Sequence, residues 1–375
     1  MRELRAWVIV AWRLLRYFFY RLGIGKCSEL LDVYPELIVV FDRVMGWRKN
    51  LRVAGAEYCP NEGPAVFSGN HYAKDDPFVA YRAIHRICNG AYPVRYMMRD
   101  DFFASGASIL KSRLLDVDEL VRLLGALQIS RNRVQLTQLK PFIALLREQA
   151  AFIMYPGRSR SRTGVFVEYR DGIDEPGGVT FLVAQAQRSR PEVNVAIVPF
   201  ARTSNMATKT SVVMFGPPVF LPHDADRVAQ REFDFRLIEL MGDLVEINVT
   251  HIAAGVIYLH CLHQRGETIA IDALDTAAGA VIAQLSNRHI DPAADCKRRE
   301  QLETTLDYFA KAQLVLRCND SITVHRNNVL ASPPPDTNYR SANPIKYAIN
   351  QILHLPDVID AIEWAALALA AKGSR

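Results

Sequence analysis

A histidine followed five residues later by an aspartate, in Ser68-Gly69-Asn70-His71-Tyr72-Ala73-Lys74-Asp75-Asp76-Pro77-Phe78, has the clearest chemical capacity in this 375-residue chain. An imidazole takes a proton from a hydroxyl near neutral pH. A carboxylate bonded to its other ring nitrogen fixes the tautomer and stabilises the imidazolium. The pair follows a short apolar run, Ala65-Val66-Phe67, that reads as a buried strand, and strand exits in α/β sheets are where ligands bind. The plain alternative is a loop histidine beside a helix-capping aspartate.

Three further segments carry suitable groups. Gly125-Ala126-Leu127-Gln128-Ile129-Ser130-Arg131-Asn132-Arg133 is an apolar run ending in arginines. Tyr155-Pro156-Gly157-Arg158-Ser159-Arg160-Ser161-Arg162-Thr163-Gly164 is an arginine–serine loop after an apolar run, and Val198-Pro199-Phe200 ends another. A guanidinium offers parallel donors matched to phosphate oxygens. A solvated loop, or contact with an anionic membrane, is the competing reading for these arginines.

The elements that must position these groups alternate. Between about residues 50 and 222, apolar strands at 65–67, 151–155 and 195–200 are interleaved with helical stretches at 77–87, 138–149 and 178–188. This alternation predicts an α/β fold with a central mixed sheet covered by helices. From about residue 225 the spacing turns helical, over 228–247, 250–264, 269–285 and 297–317, with closing helices at 344–354 and 356–371 after the Ser332-Pro333-Pro334-Pro335-Asp336 loop. The expected organisation is an amphipathic N-terminal region (1–50), an α/β core (51–224) and an α-helical C-terminal region (225–375).

Half the residues are hydrophobic and 23% are charged, which excludes a disordered, collagenous or low-complexity chain. The balance of 45 Lys+Arg against 40 Asp+Glu, a net +5, gives no ground for a nucleic-acid partner. Six scattered cysteines imply reduced thiols in a cytosolic compartment rather than a disulfide framework. His260-Cys261-Leu262-His263 lacks metal-site spacing on a helix, so no metal is expected. No P-loop or dinucleotide fingerprint is present, so neither ATP nor NAD is implied.

Charge is concentrated at the N-terminus. Residues 1–26 hold six basic residues, one acid, two Trp, two Tyr and two Phe. On a helix, Arg2, Arg5, Arg13 and Arg16 share an arc of about 80°, while Trp7, Val8, Val10, Leu14, Leu15 and Phe18 occupy the remainder. Such a helix can lie in the headgroup layer of an anionic membrane, and the alternative is a helix docked on the protein's own core. Arginines at 13, 16 and 21 break any signal-peptide core, and no run is long and apolar enough to predict a transmembrane helix. A peripheral protein on the cytoplasmic face of a membrane is expected.

Taken in order, the four segments resemble the four blocks of the glycerolphosphate and lysophosphatidate acyltransferase family. The first block, Asn-His-x-x-x-x-Asp, is matched by Asn70, His71 and Asp76, and the second, a Gly before an apolar run and an Arg, by Gly125 through Arg131. The third, Pro-Glu-Gly-Thr/Gly-Arg-Ser-x-x-Gly, is matched by Pro156, Arg160, Ser161, Arg162, Thr163 and Gly164, and the fourth, Val-Pro-Val, by Val198-Pro199 with Phe200 departing. The resemblance covers about residues 60–222. In the third block Gly157 stands where the family has its acceptor-binding glutamate, and a shifted register would instead make Arg158-Ser159 the Arg-Ser pair.

The resemblance implies an acyltransferase-type core and a membrane-associated O-acyltransferase. It would move a fatty acyl group from acyl-CoA or acyl carrier protein to glycerol 3-phosphate or lysophosphatidate, with no other cofactor. His71 and Asp76 would be catalytic. Asn70, Arg131, Arg160, Ser161 and Arg162 would bind a phosphorylated glycerol-type acceptor, and Lys74 would contact phosphate or pair with Asp75. Gly157 leaves two alternatives open, a different lipid or alcohol acceptor, or a catalytically impaired lipid-binding homologue.

Overall fold

A computed structural model describes residues 2–27, 33–88, 94–99, 116–130, 136–157, 159–169, 175–263, 266–334 and 337–373. Its centre is an eight-stranded mixed sheet. The strands are β1 (Leu51–Ala54), β2 (Ala65–Gly69), β3 (Val94–Arg99), β4 (Ala126–Ile129), β5 (Ala151–Met154), β6 (Ala196–Asn205), β7 (Thr210–Phe215) and β8 (Val219–Phe220). They lie in the order β1-β7-β6-β2-β5-β3-β4, with β8 paired to β6. The pairs made by β2, β3, β4 and β5 with one another, and by β2 with β6, are parallel, whereas β6 runs antiparallel to β7 and β8.

Every residue of β2 is buried, as a central strand covered on both faces requires. Alternate side chains divide between two cores. Val66, Phe152 and Ile197 face one way, where α6 (Leu136–Arg147) and α7 (Val179–Ser189) contribute Phe142, Leu146, Leu182 and Val183. Ala65, Phe67, Ile153 and Val198 face the other way, toward α2 (Tyr34–Val44), the short α3 (Trp47–Asn50), α4 (Asp76–Ile87) and α5 (Val117–Leu123). Each sheet face is therefore sealed by helices, and the open ground is at the strand ends.

The N-terminal helix α1 (Arg2–Arg21) forms as expected and has two different faces. Ala6 and Val10 pack against Val40 of α2, and the buried Tyr17 hydroxyl donates to the Asp116 carbonyl at 2.9 Å. Leu4, Trp7, Val8, Trp12, Leu15 and Phe19 stay exposed, so the helix docks on the protein and still presents an apolar strip. Among the described residues no helix is long and apolar enough to cross a membrane.

Between α2 and α4 the guanidinium of Arg82, fully buried, bonds the Asp42 carboxylate and donates to the Trp47 carbonyl at 3.2 Å. Arg86 reaches the other Asp42 oxygen at 2.6 Å. The helix that begins at Asp76 is thus fixed to the N-terminal helices.

Beyond residue 225 the chain is helical but not wholly so. α8 (Arg227–Asp243), α9 (Val249–Leu262), α10 (Ile271–Gln284) and α12 (Arg298–Lys311) replace the expected helical stretches, with the short α11 (Ala293–Cys296) between the last two. β9 (Thr268–Ala270), β10 (Val315–Cys318) and β11 (Ser321–Val324) form a small antiparallel sheet that the reading of an α-helical region did not include. α13 (Arg326–Leu330), α14 (Tyr339–Ala342), α15 (Pro344–Asn350) and α16 (Pro356–Gly373) end the fold. α9 is apolar on nearly all sides because it is buried, and Asn248 starts it by accepting from the His251 backbone N–H at 3.1 Å. Ile252, Leu306, Ile345 and Val358 join the same apolar cluster as Val66 and Phe152. The change near residue 225 is a change of secondary structure, and the hydrophobic core is continuous across it.

Candidate active site

The site is built where β2 and β5 end, beside the middle of β6. β2 and β6 run in register from Ala65↔Ala196 to Gly69↔Phe200. Gly69 lies against the Phe200 ring so closely that a Cβ at position 69 would sit 2.2 Å from it. Phe200, the departure from the fourth block, therefore fills the space a smaller residue would leave. Its ring also meets Tyr155, at the end of β5, edge-on at 6.1 Å.

Two residues beyond β2, the chain wraps around the Asp76 carboxylate. Oδ2 accepts from the backbone N–H groups of Tyr72 at 2.6 Å and Ala73 at 2.7 Å, and bonds His71 Nδ1 at 2.8 Å. Oδ1 accepts from Arg202 Nη1 at 2.6 Å. Arg202 also donates to both oxygens of Asp75, at 2.9 and 3.3 Å, so Asp75 is held by Arg202.

Asp76 is 2% exposed, and burial alone would raise its pKa. Arg202, the His71 contact and the Ala73 N–H outweigh that effect and hold the carboxyl below the usual carboxylate range. An ionised carboxylate only accepts, so Nδ1 of His71 carries the proton and donates it, and Nε2 is left with a lone pair. The His71 ring stacks on Tyr155 at 4.6 Å and 23°, and its side chain keeps 20% exposure. Burial pushes the Tyr155 hydroxyl well above its ordinary pKa, so the phenol stays neutral beside the imidazole.

The arginine–serine loop docks directly on this loop, because the Ser161 N–H donates to the His71 carbonyl at 2.8 Å. Glu168 folds it: one carboxylate oxygen accepts from the N–H groups of Arg162 at 2.8 Å and Thr163 at 3.1 Å, and from the hydroxyls of Thr163 at 3.0 Å and Ser161 at 3.3 Å. The C-terminal region clasps the other side. Tyr339 N–H donates to the Arg162 carbonyl at 2.9 Å, and Asn350 Nδ2 to the Thr163 carbonyl at 2.8 Å. Gly164 closes the loop at φ +93°, and a Cβ there would lie 2.4 Å from the Tyr347 carbonyl oxygen, so both conformation and space select glycine.

The structure brings His71 and Asp76 together as a dyad and sets Ser161 and its neighbours beside it. Two expected substrate contacts are placed otherwise. Asn70, 2% exposed, donates to the Arg202 carbonyl at 3.0 Å and accepts from the Arg202 N–H at 2.7 Å, so it fastens β6 to the loop that carries His71. Ser161, 3% exposed, accepts from Gly164 N–H at 3.0 Å while donating to Glu168, so its hydroxyl shapes the loop. Arg160 is half-buried and pairs with no acid among the described residues, Arg162 is half-buried in the same loop, and Arg131 lies outside the described residues.

Sequence reasoning missed Arg202, Tyr155 and Glu168. Adjacent Asp75 and Asp76 at a strand exit were a usable signal for a cation, but its position on β6 needed the sheet register.

No protein-family model matches the chain and no curated protein matches it. Among solved structures, the chain is similar to the crystal structure of PlsC, the 1-acyl-sn-glycerophosphate (LPA) acyltransferase from Thermotoga maritima. The identity is 13%, the match covers 64% of this chain and 95% of that one, and the TM-score is 0.38.

Proposed function

We propose that the protein is an O-acyltransferase working at the cytoplasmic face of a membrane. It moves a fatty acyl group from acyl-CoA or acyl carrier protein to the hydroxyl of glycerol 3-phosphate or lysophosphatidate. The observation that carries this reading is the His71 Nδ1–Asp76 contact at 2.8 Å, with Asp76 held ionised by Arg202. That arrangement leaves Nε2 of a partly exposed imidazole as the base.

Nε2 takes the proton of the acceptor hydroxyl as its oxygen adds to the thioester carbonyl carbon. The tetrahedral intermediate collapses with cleavage of the C–S bond, and the leaving thiolate takes the proton back from the imidazolium. Asp76 keeps the ring in the productive tautomer and stabilises its charge. Arg160, with Arg162 and Arg131 of the matched blocks, would hold the acceptor phosphate. The exposed strip of α1, flanked by exposed Arg5 and Arg16, supports contact with an anionic bilayer.

The experiment is thiol release and ester formation with purified protein, acyl-CoA and a panel of acceptors including glycerol 3-phosphate, lysophosphatidate and neutral alcohols. Ester on a phosphorylated acceptor, lost roughly 10²–10⁴-fold in His71→Ala with unchanged melting temperature, is the expected result. Ester only on a neutral alcohol would redirect the acceptor assignment. Vesicle binding with no ester on any acceptor would favour a lipid-binding protein, the reading to which Gly157 points.

A further inference from the structure

On another side of Asp75 and Arg202 lies a cavity of about 750 Å³, between the β1–β7 edge of the sheet and the C-terminal helices α12 and α14; His71 does not line it. Lys209, Lys311 and Arg340 line it, all are exposed, and none pairs with an acid among the described residues. Asp75, the acid in its lining, is already engaged by Arg202. Three cations therefore face one concave space, against a net charge of −1 on the Asp75–Asp76–Arg202 cluster at its side.

The cavity volume falls within the range of small-molecule sites.

We propose that this cavity binds a soluble phosphate-bearing small molecule with at least two negative charges. His71 does not line the cavity, so the inference does not rest on the proposed acyl transfer, although Arg340 and Arg202 also border the small pocket beside Asp76. Arg202 is shared, because it lines the cavity and donates to Asp76. A bound anion thus lies one guanidinium away from the dyad.

The test is calorimetric titration of the full chain with inorganic pyrophosphate at about 0.15 M salt, where diffuse surface attraction is screened. One pyrophosphate should bind per chain, weakened roughly tenfold or more in Lys311→Ala/Arg340→Ala and in Lys209→Ala. The charge-matched pair Arg227→Ala/Lys297→Ala should keep wild-type affinity. Absence of binding, or equal weakening by the control pair, would overturn the proposal. So would binding of phosphatidate-containing vesicles through the same three cations without pyrophosphate binding, which would assign the cavity to a lipid headgroup.

Discussion

Arg202 and Asp76 are 126 positions apart in sequence, and Nη1 of one lies 2.6 Å from Oδ1 of the other. The guanidinium also engages Asp75, so one cation compensates two adjacent carboxylates at the strand ends. Removing one member of a buried pair leaves the other uncompensated, at a cost of about 3–5 kcal/mol. Arg202→Met should lose stability on that scale in urea unfolding. A change below about 1 kcal/mol would mean that Asp76 does not need the cation.

Acid should weaken the fold in two stages. Burial first, outweighing the Gln351 contact, lowers His251 to about 4, and burial lowers His354 to about 4 as well. Both are bound neutral in the folded chain but take up a proton near 6.5 once unfolded. Their contribution is therefore complete above about pH 6.5 and lost as the pH falls toward 4, by up to about 3 kcal/mol for the buried His251. Asp76 is depressed from the ordinary carboxylate value, so its contribution survives this window and fades only below about pH 4. Urea unfolding across about pH 7 to 2 should show both limbs, with the upper one flattened in His251→Gln and the lower one in Asp76→Asn. An unchanged upper slope in His251→Gln would remove that assignment.

Much of the scaffold was legible and much of the site was not. The helix at 77–87 and the strands at 65–67 and 151–155 stand out because apolar residues repeat at the periods those elements impose. The expected helix at 297–317 overran for a local reason: α12 ends at Lys311, and Gln313 turns the chain at φ 57°, directing it into β10. β9, β10 and β11 are too short to carry a readable alternation. His71 and Asp76 are separated by one loop, so spacing suffices to pair them. Arg202 and Asn350 act across the sheet register or between distant loops, and spacing along the chain does not reveal such partners, whereas Glu168 lies five to seven positions from the groups it holds and nothing in a polar loop singles it out.

Glu168 gives the arginine–serine loop its shape without belonging to any matched block. Glu168→Ala removes four acceptor contacts at once and should raise the KM for a phosphorylated acceptor several-fold, with a smaller effect on a neutral one. Steady-state kinetics on both acceptors decide the matter. Equal losses on the two would make Glu168 a general stability residue.

The exposed face of α1 can be altered without touching its docked face. Trp12→Glu/Phe19→Glu places charges on the apolar strip while Ala6, Val10 and Tyr17 stay in place. Partitioning onto vesicles with anionic lipid should drop by about tenfold or more, with melting temperature unchanged. Undiminished sedimentation with vesicles would show that another surface makes the contact.

The clasp of Asn350 on the Thr163 carbonyl spans 187 positions. During translation, the loop around Thr163 leaves the ribosome long before its fastener exists, by roughly ten to forty seconds at ordinary elongation rates. A nascent chain can hold the dyad's own contacts throughout that interval. The neighbouring loop acquires this anchor only once residue 350 has been made, so competence for the proposed chemistry is deferred by that interval.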